Sequence, residues 1–257
     1  MTTRGAHVQG EIWGAKARDW AQHELETLPI KEELLRLLGI GAGTRLLDAG
    51  CGAGTFLRLA VDHGADVHGV DASDALLAIA AERAPEAALQ LGDLEQLPYD
   101  DDEFDVVTGF NAFQFAGDMV VALREAGRVA RPGGLVGIQV WGVPERCDLA
   151  ALLGALRPLL PQRPTPPVLA APGVLEGIAR EAGLTPVRAG DVTCAFEWHD
   201  EDAMLRSTLS ASLPVLAERA AGEAAVRRAA LHGLAPFRTP SGGYRVVNDW
   251  HYLIAAA

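Results

Sequence analysis

Between Arg45 and Gly142, short β-branched or leucine-rich runs alternate with longer alanine-rich segments of helical period, and this alternation restricts the chain to parallel βαβ units. The expected fold is α/β, a Rossmann-like doubly wound, mostly parallel sheet of about seven strands with N-terminal and C-terminal helical lid additions. Strands are expected near Arg45–Ala49, Asp66–Val70, Ala88–Leu91, Phe104–Phe110 and Leu135–Trp141, with helices near Thr55–His63, Ser73–Arg83 and Asp118–Val129. Ser73, beside Asp74, is a suitable N-cap for Ala75–Ala84, and Arg131-Pro132-Gly133-Gly134 stops a helix before Leu135.

The flanks read as additions to this core. Gly10–Thr27 carries Trp13 and Trp20 seven positions apart, on one helical face, and Ile30–Leu38 is a second amphipathic helix. Leu149–Leu160 reads as helix, followed by a stiff loop holding Pro158, Pro161, Pro164, Pro166, Pro167 and Pro172. A helix near Pro172–Ala182, a strand near Thr185–Glu197, helices over Glu201–Ala220 and Gly222–Leu231, and a strand Tyr244–Ile254 that re-enters the sheet complete the chain. With no linker or repeat, one domain over residues 1–257 is expected: an N-terminal lid to 43, a core over 44–143, and acceptor-side helices and closing strands from 144.

The chain has 34 Asp and Glu against 22 Lys and Arg, a formal charge of −12, so its average field repels phosphate backbones and anionic membranes. Nucleic acid and membrane partners are therefore not expected. Lys16 and Lys31 are the sole lysines, and the arginines are scattered. No apolar run approaches a membrane span or a signal-peptide core, which places the chain in the cytoplasm as an expectation. Cys51, Cys147 and Cys194 are far apart, and neither they nor the acidic run Asp100–Glu103 suggests a metal site.

In doubly wound sheets ligands bind beyond the carboxyl ends of the strands. Asp48, Asp71 and Asp93 fall there, and Gly50, Gly52 and Gly54 open the loop after the first strand. From Asp48 to Leu57 there is no Lys or Arg, which excludes a phosphate-cradling loop of the nucleoside-triphosphate type. A dinucleotide fingerprint needs a third glycine where Thr55 stands. A nucleoside with positive charge and no phosphate, such as S-adenosylmethionine (SAM), suits the acids better.

The run Leu46-Leu47-Asp48-Ala49-Gly50-Cys51-Gly52-Ala53-Gly54-Thr55 resembles the first motif of class I SAM-dependent methyltransferases, in their small-molecule, methyltransferase-11-like branch. The resemblance extends through Gly69-Val70-Asp71-Ala72-Ser73, Gly92-Asp93-Leu94-Glu95-Gln96-Leu97-Pro98, Phe104-Asp105-Val106-Val107 and Arg131-Pro132-Gly133-Gly134, covering about Leu46 to Trp141. It implies that the loop of Gly50, Cys51, Gly52 and Gly54 lines the methionine arm, that Asp71 binds the ribose, that Asp93 and Leu94 meet the adenine with Ala72 beside the ring, and that Asp48 orders the glycine loop or contacts the cofactor. It also implies that Asn111 faces the methionine end through its backbone and that Trp20 closes over the cofactor, with S-adenosylhomocysteine (SAH) as product.

Methyl transfer from a sulfonium is an in-line displacement that needs alignment and water exclusion rather than a nucleophilic side chain. His23, His199 and His251 are candidate bases, and Gln114 stands where the family often has His. Trp141, Phe115 and Trp13 are candidate acceptor contacts, within a pocket expected from Leu149–Leu169, Phe196–Leu213 and the N-terminal lid. The segment after the fourth strand lacks the Asn/Asp-Pro-Pro-aromatic signature of nucleic-acid amino methylation, so the partner expected is a small-molecule acceptor, with a homodimer as a further possibility. The alternatives are a SAM- or SAH-binding module without transferase activity and an NAD-dependent oxidoreductase.

Overall fold

The structure, a computed structural model, describes residues 4–161 and 166–257. Pro164 of the proline-rich stretch lies outside the described residues. In chain order the elements are α1 (Arg4–Gly14), α2 (Ala17–His23), α3 (Leu28–Leu37), β1 (Arg45–Ala49), α4 (Thr55–Asp62), β2 (Asp66–Asp71), α5 (Asp74–Arg83), β3 (Ala88–Leu91) and β4 (Phe104–Phe110). They continue with α6 (Met119–Val129), β5 (Ala130–Trp141), α7 (Ala150–Leu156), α8 (Val174–Glu181), β6 (Thr185–Trp198), α9 (Glu201–Thr208), α10 (Ser212–Ala221), α11 (Glu223–Leu234) and β7 (Tyr244–Ala256).

The strands of the described residues form one seven-stranded sheet in the order β3-β2-β1-β4-β5-β7-β6. The pairs among β1 to β5 are parallel, and β7 runs antiparallel to both β5 and β6. Strand order reverses between β1 and β4, so the loops leaving these strands diverge and open a crevice above their carboxyl ends. This is the Rossmann-like sheet that the βαβ alternation predicts.

Period-two alternation decides which side chains face which layer. Leu46 and Val106 join Ile30, Leu34, Phe56 and Leu57 on one face, whereas Leu47 and Val107 join Leu123, Ala126 and Ile138 on the other. Asp48 and Phe110 share the parity of Leu46 and Val106 and therefore lie on the face covered by α3. Helix starts follow the capping chemistry: Ser73 Oγ accepts from Leu76 N at 3.4 Å, and Asp118 Oδ1 accepts from Val120 N and Val121 N at 2.8 and 3.2 Å. Such caps contribute about 1 kcal/mol each.

Three boundaries differ from the sequence expectation. The Gly10–Thr27 helix is divided after Gly14 and ends in a 3-10 turn over Glu24–Thr27, so α1 and α2 turn separately over the crevice. The helix over Glu201–Ala220 is likewise two, because Pro214 suits the first turn of α10 and not the interior of a longer helix. Strand β5 begins at Ala130 rather than Leu135, since Ala130 pairs with Phe104 before an irregularity lets Leu135 pair with Val106.

Candidate active site

A cleft of about 250 Å³ opens above the carboxyl ends of β1, β2 and β4, roofed by α1 and α2. It is lined by Asp48, Gly50, Cys51, Gly52, Asp71, Ala72, Asp93, Leu94 and Asn111, together with Trp13, Trp20 and Phe115. Among the sequence-derived candidates, Gly54, Gln114, Trp141, His199 and His251 are not among the lining residues.

Gly50 explains why a side chain is absent from the loop after β1: its φ is +78°, and a Cβ there would stand 2.5 Å from Ala112 Cβ. Gly10 plays the corresponding part in the roof. A Cβ on Gly10 would stand 2.0 Å from Ala72 O, so α1 seats directly on the loop between β2 and α5. Trp13 meets Trp20 at 4.6 Å and Phe115 at 5.0 Å between ring centroids, both edge-on, joining the roof to the segment after β4. Asn111 sits in that segment at φ +55°, a conformation asparagine tolerates better than most residues, with its N–H on Gln139 O at 2.9 Å.

Asp71 accepts from Gly52 N and Ser73 N, both at 2.9 Å, which ties the tip of β2 to the glycine loop. Burial raises its pKa to about 6 against the pull of those two N–H groups, and the Glu24 carboxylate adds to the rise. Asp48 accepts from Thr108 Oγ1 at 2.8 Å. Burial lifts it to about 7, with the Thr108 hydrogen bond and Lys31 pulling down and Glu24 and Asp71 pushing up. Gly54 serves packing instead: a Cβ there would meet Ala80 at 2.9 Å, where α4 crosses α5.

These shifts carry a stability consequence. The unfolded chain releases the Asp48 proton near 3.8 and the folded chain near 7, so between those values the folded state holds more protons and Asp48 erodes stability as pH rises. Asp48→Asn, whose amide oxygen can still accept from Thr108, is expected to melt higher than wild type at about pH 8 and to converge with it towards about pH 4. Melting curves across this range check it, and a variant that melts lower at the alkaline end contradicts the assignment.

Glu24 and Lys31 were not singled out in the sequence. The Glu24 carboxylate accepts from Ala53 N at 2.8 Å and Thr55 Oγ1 at 2.7 Å, and pairs with Arg83 Nη1 at 3.3 Å. It thus lies against the glycine loop just ahead of α4, beside the place where a dinucleotide fold receives pyrophosphate. Lys31 lies three, four and seven residues before Leu34, Leu35 and Leu38, on the apolar face of α3, and that unusual position is the signal that could have found it.

Of the three candidate histidines, His23 alone lines the cleft. Its Nδ1 lies 2.8 Å from Ser207 Oγ and 3.1 Å from Glu26 Oε2, and the Trp20 ring stacks on its imidazole at 4.9 Å. The His199 side chain is 79% exposed beside Asp200, and His251 pairs with Asp191 at 2.8 Å away from the cleft. Gln114 donates through Nε2 to Asn111 Oδ1, next to the cleft. Trp141 stacks on Trp250 at 4.3 Å, and it is Trp250 that reaches the cleft wall. No helix of the described residues is long and apolar enough to cross a membrane, and no cluster of metal-ligating side chains occurs among them.

Residues 47–138 match the family model described as "Methyltransferase domain". The malonyl-[acyl-carrier protein] O-methyltransferase of Serratia marcescens is 39% identical over 104 residues, which are 39% of this chain and 41% of that one. The chain spans between about two fifths and three fifths of the length of the first curated relatives it matches. In fold, the YcgJ protein of Bacillus subtilis superposes with a TM-score of 0.59 at 19% identity, covering 88% of this chain and 97% of that one. A phosphoethanolamine N-methyltransferase of Haemonchus contortus, solved in complex with phosphomonomethylethanolamine and S-adenosylhomocysteine, superposes with a TM-score of 0.53 at 18% identity, covering 88% of this chain and 52% of that one.

Proposed function

We propose that the chain is a class I SAM-dependent methyltransferase that transfers a methyl group from SAM to a small-molecule acceptor in the cleft above β1 and β4, a reading supported by the methyltransferase family model that residues 47–138 match. The observation that carries this reading is the charge pattern of the cleft. Asp48, Asp71 and Asp93 line it, and the Glu24 carboxylate, bonded to Ala53 N and Thr55 Oγ1, places a further negative charge beside the start of α4, where a phosphate would be drawn. A cationic, phosphate-free nucleoside suits that arrangement, whereas a pyrophosphate would have to displace Glu24 and sit among acids.

The residues present fit the cofactor. Asp71 suits the ribose hydroxyls, Asp93 and Leu94 the adenine, and the bare backbone at Gly50 and Gly52 allows close approach of the methionine arm. When bound, SAM supplies an electrophilic methyl group whose bonding electron pair returns to sulfur. The chain's own work is to hold the acceptor in line and exclude water, which the Trp13–Trp20–Phe115 roof does. His23 is the acid/base group: Glu26 and Ser207 hold Nδ1, which leaves Nε2 to take a proton from the acceptor.

The malonyl-[acyl-carrier protein] O-methyltransferase and the phosphoethanolamine N-methyltransferase differ in the acceptors their names give, so kinship leaves the acceptor to be read from the cleft itself. Mass spectrometry of ligand retained through purification, followed by labelled-methyl transfer against a metabolite panel, tests the proposal. Retention of SAM or SAH and label on an acceptor are expected. SAH retention with no transfer to any acceptor would favour a binding module instead.

A further inference from the structure

Lys31 is 7% exposed, and its Nζ donates to Thr27 Oγ1 at 2.7 Å while forming no ion pair among the described residues. An ammonium in that state retains two N–H groups without a protein acceptor. Nζ stands 5.0 Å over the Phe110 ring, and both residues line the cleft. Trp250 is 2% exposed, lines the same cleft, and carries a buried indole N–H with no hydrogen-bond partner. A buried donor left unmatched costs about 1 to 3 kcal/mol, so the Trp250 N–H, in one cleft with an ammonium that spends one N–H on Thr27, marks a place where an acceptor oxygen belongs.

Their position separates them from the nucleoside-facing acids. Asp71 and Asp93 follow β2 and β3, at one side of the crevice, whereas Phe110 and Trp250 belong to β4 and β7, on the other. Burial pulls the Lys31 pKa down and Arg83 adds to the fall, whereas the facing Glu24 and Asp48, with Cys194, favour its charged form. The surroundings are aromatic: Phe110 beneath the ammonium, Phe196 stacked on Trp250 at 6.4 Å, and the histidine assigned above as the base, edge-on to Phe196 at 5.6 Å.

We propose that Lys31 and the Trp250 indole N–H form an oxyanion-holding acceptor subsite, and that the acceptor is an aromatic hydroxyl, a phenol-class compound that reacts as its oxyanion. This rests on the transferase reading above. His23 takes the hydroxyl proton at Nε2, and the oxygen left negative is held by the Lys31 ammonium, which keeps its own proton, and by the indole N–H. The oxygen lone pair then forms the O–CH3 bond as the sulfur–methyl bond breaks, so the acceptor's negative charge and the sulfonium's positive charge cancel.

The test uses SAH-loaded protein and 4-nitrophenol, whose phenolate absorbs separately from the phenol. At about one pH unit below the probe's solution pKa, bound probe is expected to show the phenolate spectrum, because the subsite stabilises the charged form. Lys31→Met is expected to weaken probe binding about tenfold or more and return bound probe to the phenol spectrum. Trp250→Phe, which removes only the N–H donor with the ring retained, is expected to weaken it about three- to tenfold. Affinity of both variants for SAH, measured without the probe, stays within about threefold of wild type.

Two results would overturn the subsite. One is a wild-type protein that binds the probe as neutral phenol or not at all. The other is a Lys31→Met variant that binds SAH tenfold more weakly yet binds decarboxylated SAH as wild type does, since Lys31 would then belong to the cofactor's carboxylate. Failure to bind SAH in the wild type would instead strike the transferase reading itself.

Discussion

Asp71→Ala is expected to weaken SAH binding by about 2 to 4 kcal/mol, roughly 30- to 1,000-fold in Kd. Two losses combine. Asp71 lines the cleft and is the carboxylate proposed to accept the ribose hydroxyls, and hydrogen bonds to a charged acceptor are worth more than neutral ones. Asp71 also accepts from Gly52 N and Ser73 N, so its removal frees the glycine loop that the methionine arm approaches. Asp71→Asn keeps one carbonyl oxygen for these N–H groups and is expected to fall between alanine and wild type. Titration calorimetry on a variant with an unchanged far-ultraviolet spectrum makes the measurement, and an alanine variant with wild-type affinity would remove Asp71 from the site.

His23→Ala is expected to slow methyl transfer by about 10²- to 10⁴-fold, the range for a positioned general base, with SAH affinity little changed. The expectation comes from the polarised contact on one side of the ring: Glu26 and Ser207 engage Nδ1, which leaves Nε2 free on a residue that lines the cleft. His23→Gln preserves some packing under Trp20 but cannot cycle a proton, so it should lose turnover nearly as fully. Glu26→Gln keeps a hydrogen-bonding side chain beside Nδ1 and is expected to show a smaller loss in kcat. Equal turnover in all three variants would mean that the acceptor arrives already deprotonated and needs no base.

The sheet was legible because its signal is local and repeated. The runs Arg45–Ala49 and Phe104–Phe110 are both strands within the described residues, each ending where glycine or asparagine reaches positive φ. Helix starts at Ser73 and Asp118 were equally plain, since the capping oxygen lies within three residues of the N–H it accepts from. What depends on neighbours across the sheet was not. Ala130 joins β5 because Phe104 offers it a partner 26 positions earlier in the chain, which no pattern around Arg131-Pro132-Gly133-Gly134 discloses.

The cofactor side of the cleft follows the same logic, because Asp48, Asp71 and Asp93 stand at strand ends that the periodicity locates. The acceptor side does not. Trp141 and Trp250 are paired across β5 and β7, and the choice of Trp250 as the cleft-lining ring depends on helices folded over that face. Glu24 carries no local signal in the sequence, and it meets the glycine loop through Ala53 and Thr55 only because the turn after α2 lies over that loop. His199 and His251 have the right chemistry, but their positions outside the cleft are set by the antiparallel pairing of β6 and β7.

Parallel calorimetric titrations of the purified chain with SAH and with NADH test most directly whether the acid-lined crevice selects an adenosyl thioether or sulfonium over a pyrophosphate. Saturable binding of SAH at one site per chain, lost in Asp71→Ala, with no saturable heat from NADH, is the predicted result. Saturable NADH binding that SAH fails to displace would contradict it.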